Sequence, residues 1–468
     1  MSKGDRLPTR RAVGELVQSS PAERRSQLPP PLRLVLGLLG LVLLGTLLLM
    51  LPGTSSGRPL TLMEALFTST SAVTVTGLTV VTTSVDLSRW GQLVVLLLVQ
   101  AGGVGAMFGL ALALRLARRP VALADRLALS ESLGLDRPGA VLSLARNVFY
   151  GILVIEGLGA LLLYLHWRLA DVVPADDVLF YAVFHAVTAF CNAGFDLFAG
   201  LARYPRGVPG DTFSLLIMGT LIFAGGLGIP VFADLLRREG GRRLGLHTRL
   251  TLGAVTALVI VGWFGLFIPE TRPGGVLHGD PLEQQLVHTW FQSVSTRTAG
   301  FPGFEDFDNL VPESQLLVTA LMFVGTAPAS MGGGITTGTF IVLLLALWGY
   351  ARGQPHVQIA GRTIATGTVR RAGAILTISV IVAFFASWLI LLTHDLPMNT
   401  VVFEVVSAFA TVGLSLGITD DLNTFGRLVI ILMMFWGRLG AVTLVVAIAQ
   451  RTAQPRGLVQ YPEEQVYI

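Results

Sequence analysis

Four short stretches of this chain end on a glycine in register and could offer backbone oxygens to a cation. Aligned on that glycine without gaps, they read FTSTSAVTVTGL (residues 67–78), FHAVTAFCNAGF (184–195), WFQSVSTRTAGF (290–301) and FEVVSAFATVGL (403–414). Each opens on an aromatic residue: Phe67, Phe184, Trp290 and Phe403. Gly77, Gly194, Gly300 and Gly413 coincide, and each precedes a bulky apolar residue. A cation leaving water must have its hydration replaced, and rings of backbone carbonyls do this at a spacing that suits potassium. Aiming successive carbonyls at one axis demands torsions that a Cβ resists, and glycine removes that resistance. The residues just before the glycines are small or β-branched: Val75 and Thr76, Asn192 and Ala193, Thr298 and Ala299, Thr411 and Val412. One such triplet is weak evidence; four in register are strong.

The segments around these loops must be membrane-embedded. The chain is 52% hydrophobic and only 13% charged, about half the charge of a water-soluble globule. Eight apolar stretches reach or approach the roughly 20 residues that span a bilayer: 34–51, 93–114, 148–165, 213–235, 250–268, 316–348, 372–392 and 428–449. With the N-terminus cytoplasmic, 24 of the 33 Lys and Arg residues fall on cytoplasmic segments, the orientation that the positive-inside rule favours. Every glycine loop then lies in an outer connection between two spans. Preceded by a half-helix too short to cross, each loop must enter and leave on one side, and irregular backbone at that depth must be buried or line an aqueous cavity. The glycines are separated by 117, 106 and 113 residues, a period that marks one supersecondary unit used four times. The fold expected is an all-α membrane protein of eight transmembrane helices in four helix–pore loop–helix pseudo-repeats around one central pore. The divisions are a cytoplasmic Arg- and Pro-rich arm (1–33), repeats at 34–119, 120–249, 250–371 and 372–452, and a cytoplasmic tail (453–468).

The second span of each unit carries glycines of its own: QAGGVGAMFG, FAGGLGIPVF, SMGGGITTGT and FWGRLGAVTL. For Gly102, Gly103, Gly225 and Gly226 close helix packing is the better reading. The third unit differs. GTAPASMGGGITTG (325–338) sets Gly325, Gly332, Gly333, Gly334, Thr336, Thr337 and Gly338 beside Pro328, where Gly costs about 1 kcal/mol and Pro about 3 in a helix. A broken helix with an unwound middle, below the pore, is predicted there. Two arginines sit at membrane depth, where an unpaired charge costs at least about 3 kcal/mol. Arg297 is read as structural, bonding loop carbonyls or a partner such as Glu404. Arg438 either packs within the last helix or faces the ion path beside the glycine loop as a gate. Glu156 is read as a satisfied polar residue.

These residues resemble the Trk/Ktr/HKT superfamily of potassium transporters. The resemblance covers about residues 34–449 and rests on VTVTGL, NAGF, TRTAGF, ATVGL, the triple-glycine loop and GRLG (437–440). A single span before the first loop is similar to the Ktr-type membrane subunit. The resemblance implies a homodimer in the cell (inner) membrane with both termini cytoplasmic and one pore per protomer. It implies a cytoplasmic ring of nucleotide-binding (RCK-type) regulatory subunits, K+ as the transported ion, Na+ as a candidate activator, and no organic cofactor or nucleic acid. It carries the selectivity glycines onto Gly77, Gly194, Gly300 and Gly413, the gating loop onto residues 325–338 and the gate arginine onto Arg438. Relatives that carry sodium can have serine at the first of these glycines; Gly77 favours potassium.

Other classes fare worse. Lys3 is the only lysine, so no Walker lysine exists. GTSSG at 53–57 satisfies G-x-S-x-G but lies in an outer loop rather than a strand-to-helix elbow. A secondary transporter of another solute, or of sodium, would also show repeats and broken helices, though two inverted halves are usual there.

Overall fold

The computed structural model describes residues 30–116, 141–201, 203–204, 207–236, 244–354 and 356–440. Among these the chain is helical apart from loops and one hairpin of two short strands, Gln358–Ile359 and Arg362–Thr363. The helices are α1 (Pro30–Leu49), α2 (Leu62–Thr74), α3 (Arg89–Leu116), α4 (Val141–Leu169), α5 (Val178–Phe190), α6 (Thr212–Gly226) and α7 (Ile229–Leu236). They continue as α8 (Leu246–Glu270), α9 (Leu282–Ser295), α10 (Pro312–Phe323), α11 (Thr337–Ala351), α12 (Thr366–Leu391), α13 (Met398–Ala410) and α14 (Thr424–Leu439).

Local chemistry sets the boundaries. Thr61 and Glu64 form a reciprocal capping box at the start of α2, satisfying two orphan N–H groups. Asp211, Thr336 and Asn423 cap α6, α11 and α14 through their side chains. Pro312 stands in the first turn of α10, where its missing N–H is not needed.

Three helices among the described residues are long and apolar enough to cross a membrane: Arg146–Leu169, Leu246–Glu270 and Thr366–Leu391. Their outer faces are apolar and exposed, as with Leu153, Leu158, Leu161 and Leu165 on α4 and Ile381, Phe384, Phe385 and Trp388 on α12. Contiguous exposed apolar surface on this scale marks contact with lipid rather than water.

The stretch expected as one span at 213–235 is instead broken. α6 and α7 meet at 95°. The cause lies at Gly228, whose φ of +82° suits only a residue without Cβ, and at the Ile229 N–H, which bonds the Ala329 carbonyl at 2.9 Å rather than its own helix. Between α10 and α11 the helix is also interrupted, across residues 324–336. α14 ends at Leu439, with Gly440 at φ +78°; the rest of the expected last span lies outside the described residues, as does nearly all of the arm before Pro30.

The short helices α2, α5, α9 and α13 form the centre. α2, α5 and α13 pack on both helices that flank them in their own segment, α9 on α8, and each also leans on the second helix of the segment before it. Thus α5 packs on α3, α9 on α6, α13 on α10, and α2 closes the circle on α14.

Candidate functional site

Backbone torsions of the four glycine loops share one signature. Gly77, Gly194, Gly300 and Gly413 have φ of +94°, +65°, +77° and +97°. Two residues earlier, Val75, Asn192, Thr298 and Thr411 are also left-handed, at +58°, +57°, +72° and +51°. The residue between does not share that hand. Alternating hands turn successive carbonyls to the same side, where a regular strand would alternate them. A β-branched residue at positive φ is an outlier that costs roughly 1–3 kcal/mol and persists only where the surroundings enforce it.

The surroundings here are the other loops. A Cβ on Gly77 would meet the Ala193 carbonyl oxygen and lie 3.0 Å from the Gly194 Cα. One on Gly194 would lie 2.9 Å from the Ala299 oxygen and 3.2 Å from the Gly300 Cα. One on Gly300 would overlap the Val412 oxygen and lie 3.1 Å from the Gly413 Cα, and one on Gly413 would overlap the Thr76 oxygen and lie 3.1 Å from the Gly77 Cα. The order 77, 194, 300, 413 and back to 77 is a closed ring. Every glycine faces the carbonyl of its neighbour, and no room remains for a side chain. The side chains of Val75, Thr76, Asn192, Ala193, Thr298, Ala299, Thr411 and Val412 are buried in the protein.

Each loop is fixed from behind. The N–H groups of Thr76, Ala193 and Val412 donate to the carbonyls of Ser71, Thr188 and Ser407, all at 2.8 Å. The Gly77 N–H donates to Ser71 Oγ at 3.0 Å and the Gly413 N–H to Ser407 Oγ at 3.1 Å. The residue in that place is Thr188 in the second loop, whose hydroxyl donates to its own helix at Phe184, and Val294 in the third, which has no hydroxyl. The third half-helix also ends earliest, at Ser295, and its Gly300 N–H reaches the Ser295 carbonyl only at 3.4 Å. The half-helices α2, α5 and α13 deliver their C-terminal ends to the ring, a favourable potential for a cation of about 0.3–1 kcal/mol each.

Polar clips hold the outer side. His185 Nε2 lies 3.0 Å from Asp196 Oδ1, and Glu404 accepts from Ser415 Oγ at 2.7 Å and from Thr419 Oγ1. Both clips join a half-helix residue nine places before the glycine to one two places after it. The Gly303 N–H donates to Gln292 Oε1 at 2.6 Å. At the outer end of α2, hydrogen bonds from the Arg58 guanidinium hold the Glu64 carboxyl down at about 2.

The unwound loop between α10 and α11 abuts the inner end of the ring. A Cβ on Gly332 would overlap the Thr298 side chain, and one on Gly333 that of Thr411. Its N–H groups satisfy the broken end of α6: Ala327 donates to the Gly226 carbonyl at 3.1 Å and Met331 to that of Gly225 at 3.4 Å. Gly325 donates to Ile335 at 2.8 Å and Thr337 to Thr326 at 2.9 Å, closing the loop on itself. Arg438 faces this loop. Its Nη1 donates to the Met331 carbonyl, and its Nη2 donates to Gly102 and Gly103 carbonyls at 2.7 and 3.2 Å.

Arg297 does not meet Glu404, whose oxygens are taken by Ser415 and Thr419. It donates through Nη2 to the Gly325 carbonyl and to Thr337 Oγ1, both at 2.7 Å. Glu156 accepts from Gln100 Nε2 at 3.1 Å and faces Cys191 Sγ at 3.8 Å. Gly102, Gly225 and Gly437 have a different task from the ring glycines: a Cβ on any of them would overlap the carbonyl of Val73, Phe190 or Phe409, in the last turn of a half-helix. A hydroxyl stands six residues before the glycine in three loops, as Ser71, Thr188 and Ser407, and the two serines are the ones that bond the glycine N–H.

Residues 40–457 match the family model for TrkH, described as a cation transport protein. The chain is 35% identical over 94% of its length to the Ktr system potassium uptake protein B of Bacillus subtilis, covering 96% of that protein. It is 33% identical to the potassium/sodium uptake protein NtpJ of Enterococcus hirae, across 95% of this chain and 98% of the relative. The crystal structure of the potassium transporter TrkH from Vibrio parahaemolyticus shares the fold, with a TM-score of 0.70 at 18% identity, covering 89% of this chain and 84% of that one.

Proposed function

Because the chain belongs to the TrkH family of cation transport proteins, which are transporters and not enzymes, we propose that it is the ion-conducting membrane subunit of a potassium uptake system. The relatives named as potassium uptake proteins cover nearly all of this chain. The observation that carries the reading is the closed ring of Gly77, Gly194, Gly300 and Gly413, in which each glycine abuts the next loop's carbonyl. In this reading eight transmembrane segments form four pseudo-repeats about one pore, and the loop carbonyls of residues 75–77, 192–194, 298–300 and 411–413 replace the water of K+. The loop at 325–338, held by Arg438, obstructs the path below and must move for conduction. Half-helix ends add attraction without binding so tightly that the ion stays.

The protein works as a homodimer in the inner membrane, termini cytoplasmic, with a nucleotide-binding ring on the cytoplasmic face. The skew of Lys and Arg toward cytoplasmic segments supports that orientation. Sodium enters as an activator or second cargo, a reading favoured by the potassium/sodium uptake relative.

Rubidium uptake into proteoliposomes, with potassium, sodium and amino acids as competitors, tests the proposal. Uptake blocked by potassium and far less by sodium is expected. Solute-driven current without rubidium uptake would overturn it in favour of a secondary transporter.

A further inference from the structure

The four loops of the ring are not held alike. Loops one and four are pinned by hydroxyls of their own half-helices, Ser71 and Ser407. Loop three has Val294 in that place; its half-helix holds it through Ser295, whose carbonyl accepts from the Ala299 and Gly300 N–H groups at 2.9 and 3.4 Å and whose Oγ donates to the Phe301 carbonyl at 2.5 Å. Because α9 unwinds at Ser295, Arg297 lies in the turn directly before Thr298. Its buried guanidinium runs away from the ring to Gly325 and Thr337, the two ends of the unwound loop. Thr337 Oγ1 also donates to the Gly325 carbonyl at 2.8 Å, so one guanidinium, one carbonyl and one hydroxyl form a triangle that closes the loop at its neck. The second terminal nitrogen, Nη1, is buried without a partner, beside a small cavity lined by Thr326 of the loop and by Ile222, Gly226, Val255 and Val294.

We propose that Arg297 is a positioning residue that couples the selectivity ring to the gating loop, so that loop movement is transmitted to the carbonyls of loop three. Loop three is tied to the unwound loop through Arg297 as well as to its own half-helix through Ser295. When the loop leaves, Arg297 loses both acceptors, and a buried arginine cannot remain without them. It must follow the loop, and the backbone at Thr298 and Gly300 moves with it. Selectivity therefore changes with gate position. This deepens the reading of the ring as a potassium filter and rests on it.

The test is a double-mutant cycle in reconstituted full-length protein. Arg297→Gln and Arg438→Ala are made singly and together, and rubidium flux and the rubidium-to-sodium ratio are measured for each. Coupled residues interact strongly enough to change a rate or ratio by roughly threefold to thirtyfold. Arg297→Gln is expected to raise flux and lower the ratio, with the double variant little different from Arg438→Ala alone. Arg297→Lys, which can hold one acceptor, should restore part of the ratio. Thr337→Val removes one acceptor without removing buried charge and keeps the test usable if Arg297→Gln fails to fold; it should shift both quantities in the same direction. A ratio unchanged in Arg297→Gln or Thr337→Val, or flux effects that simply multiply in the double variant, would overturn the coupling. Absence of potassium-competed flux in the unmodified protein would instead overturn the filter reading beneath it.

Discussion

Gly77→Ser puts the ring under the most direct stress. The substitution acts twice. It forces a Cβ onto a backbone at φ +94°, a strain of roughly 1–3 kcal/mol. It also drives that Cβ against the Ala193 carbonyl oxygen and to 3.0 Å from the Gly194 Cα, atoms of the next loop rather than of its own. If those carbonyls face the ion as proposed, relieving the strain moves one of them, and it becomes a loss of potassium preference. At 1.4 kcal/mol per factor of ten, the rubidium-to-sodium ratio should fall by roughly fivefold to a hundredfold. The assay is competitive rubidium uptake in proteoliposomes, on protein that elutes and melts like the parent. Gly53→Ser is the control: its φ of +90° imposes the same torsional strain, but nothing lies within 4 Å of the added Cβ. If Gly77→Ser keeps the parent ratio, or if Gly53→Ser loses it equally, the ring does not set selectivity.

Two further outcomes follow from the same contacts. Ser71→Ala removes the acceptor of the Gly77 N–H, worth about 1 kcal/mol, and should lower the rubidium-to-sodium ratio about fivefold, whereas Thr188→Ala, whose hydroxyl bonds only its own helix, should leave it nearly unchanged; equal effects would remove the pinning role. Gly102→Ala sets a methyl against the Val73 carbonyl, and overpacking of that kind costs about 1–3 kcal/mol; its melting temperature in detergent should drop well below that of Gly105→Ala, whose nearest neighbour is the Ala101 side chain at 3.9 Å.

The loops were legible in the sequence because their geometry is written in residue type. Only glycine tolerates the contacts at the ring, so the four alignments meet there without gaps. The unwound segment at 324–336 was legible for a similar reason, since four glycines and Pro328 cannot sit comfortably in a helix. The break between α6 and α7 was not. FAGGLGIPVF keeps an unbroken apolar profile, and Pro230 falls in the first turn of α7, where proline is at ease. Gly228 turns the chain at φ +82°, and a partner a hundred residues away, the Ala329 carbonyl, fixes the turn by taking the Ile229 N–H. Arg297 was hidden in the same way. Its residue type announced a need for acceptors, and the sequence left loop carbonyls and Glu404 both open, whereas the bonds run to the Gly325 carbonyl and Thr337 Oγ1. Composition says what a buried group requires; only packing says which neighbour supplies it.

The two helix breaks are one device. A helix that stops in the interior leaves carbonyls without partners, and α6 stops at Gly226. The N–H groups of Ala327 and Met331 take those carbonyls, while the start of α7 takes Ala329 in return. The unwound loop is therefore stitched into a gap that another segment leaves open, with Arg438 and Arg297 adding charged donors at its middle and its neck. Counting from the ring glycine, Gly102 and Gly325 both stand 25 residues on and Gly437 stands 24 on. The third segment thus abandons its helix at the level where Gly102 and Gly437 press against a half-helix carbonyl, and the extra chain fills the space beneath the ring. Three stitches to α6 and α7, at about 0.5–1.5 kcal/mol each, give an opening cost of a few kcal/mol. If the loop gates the path as proposed, a cost of that size would hold it shut at rest and remain small enough for a binding partner to overcome, since differential affinities of a few kcal/mol shift such equilibria. In the proposed reading the ring is fourfold because every segment supplies an oxygen ligand, whereas the obstruction needs only one segment, because a single loop suffices to close a single path.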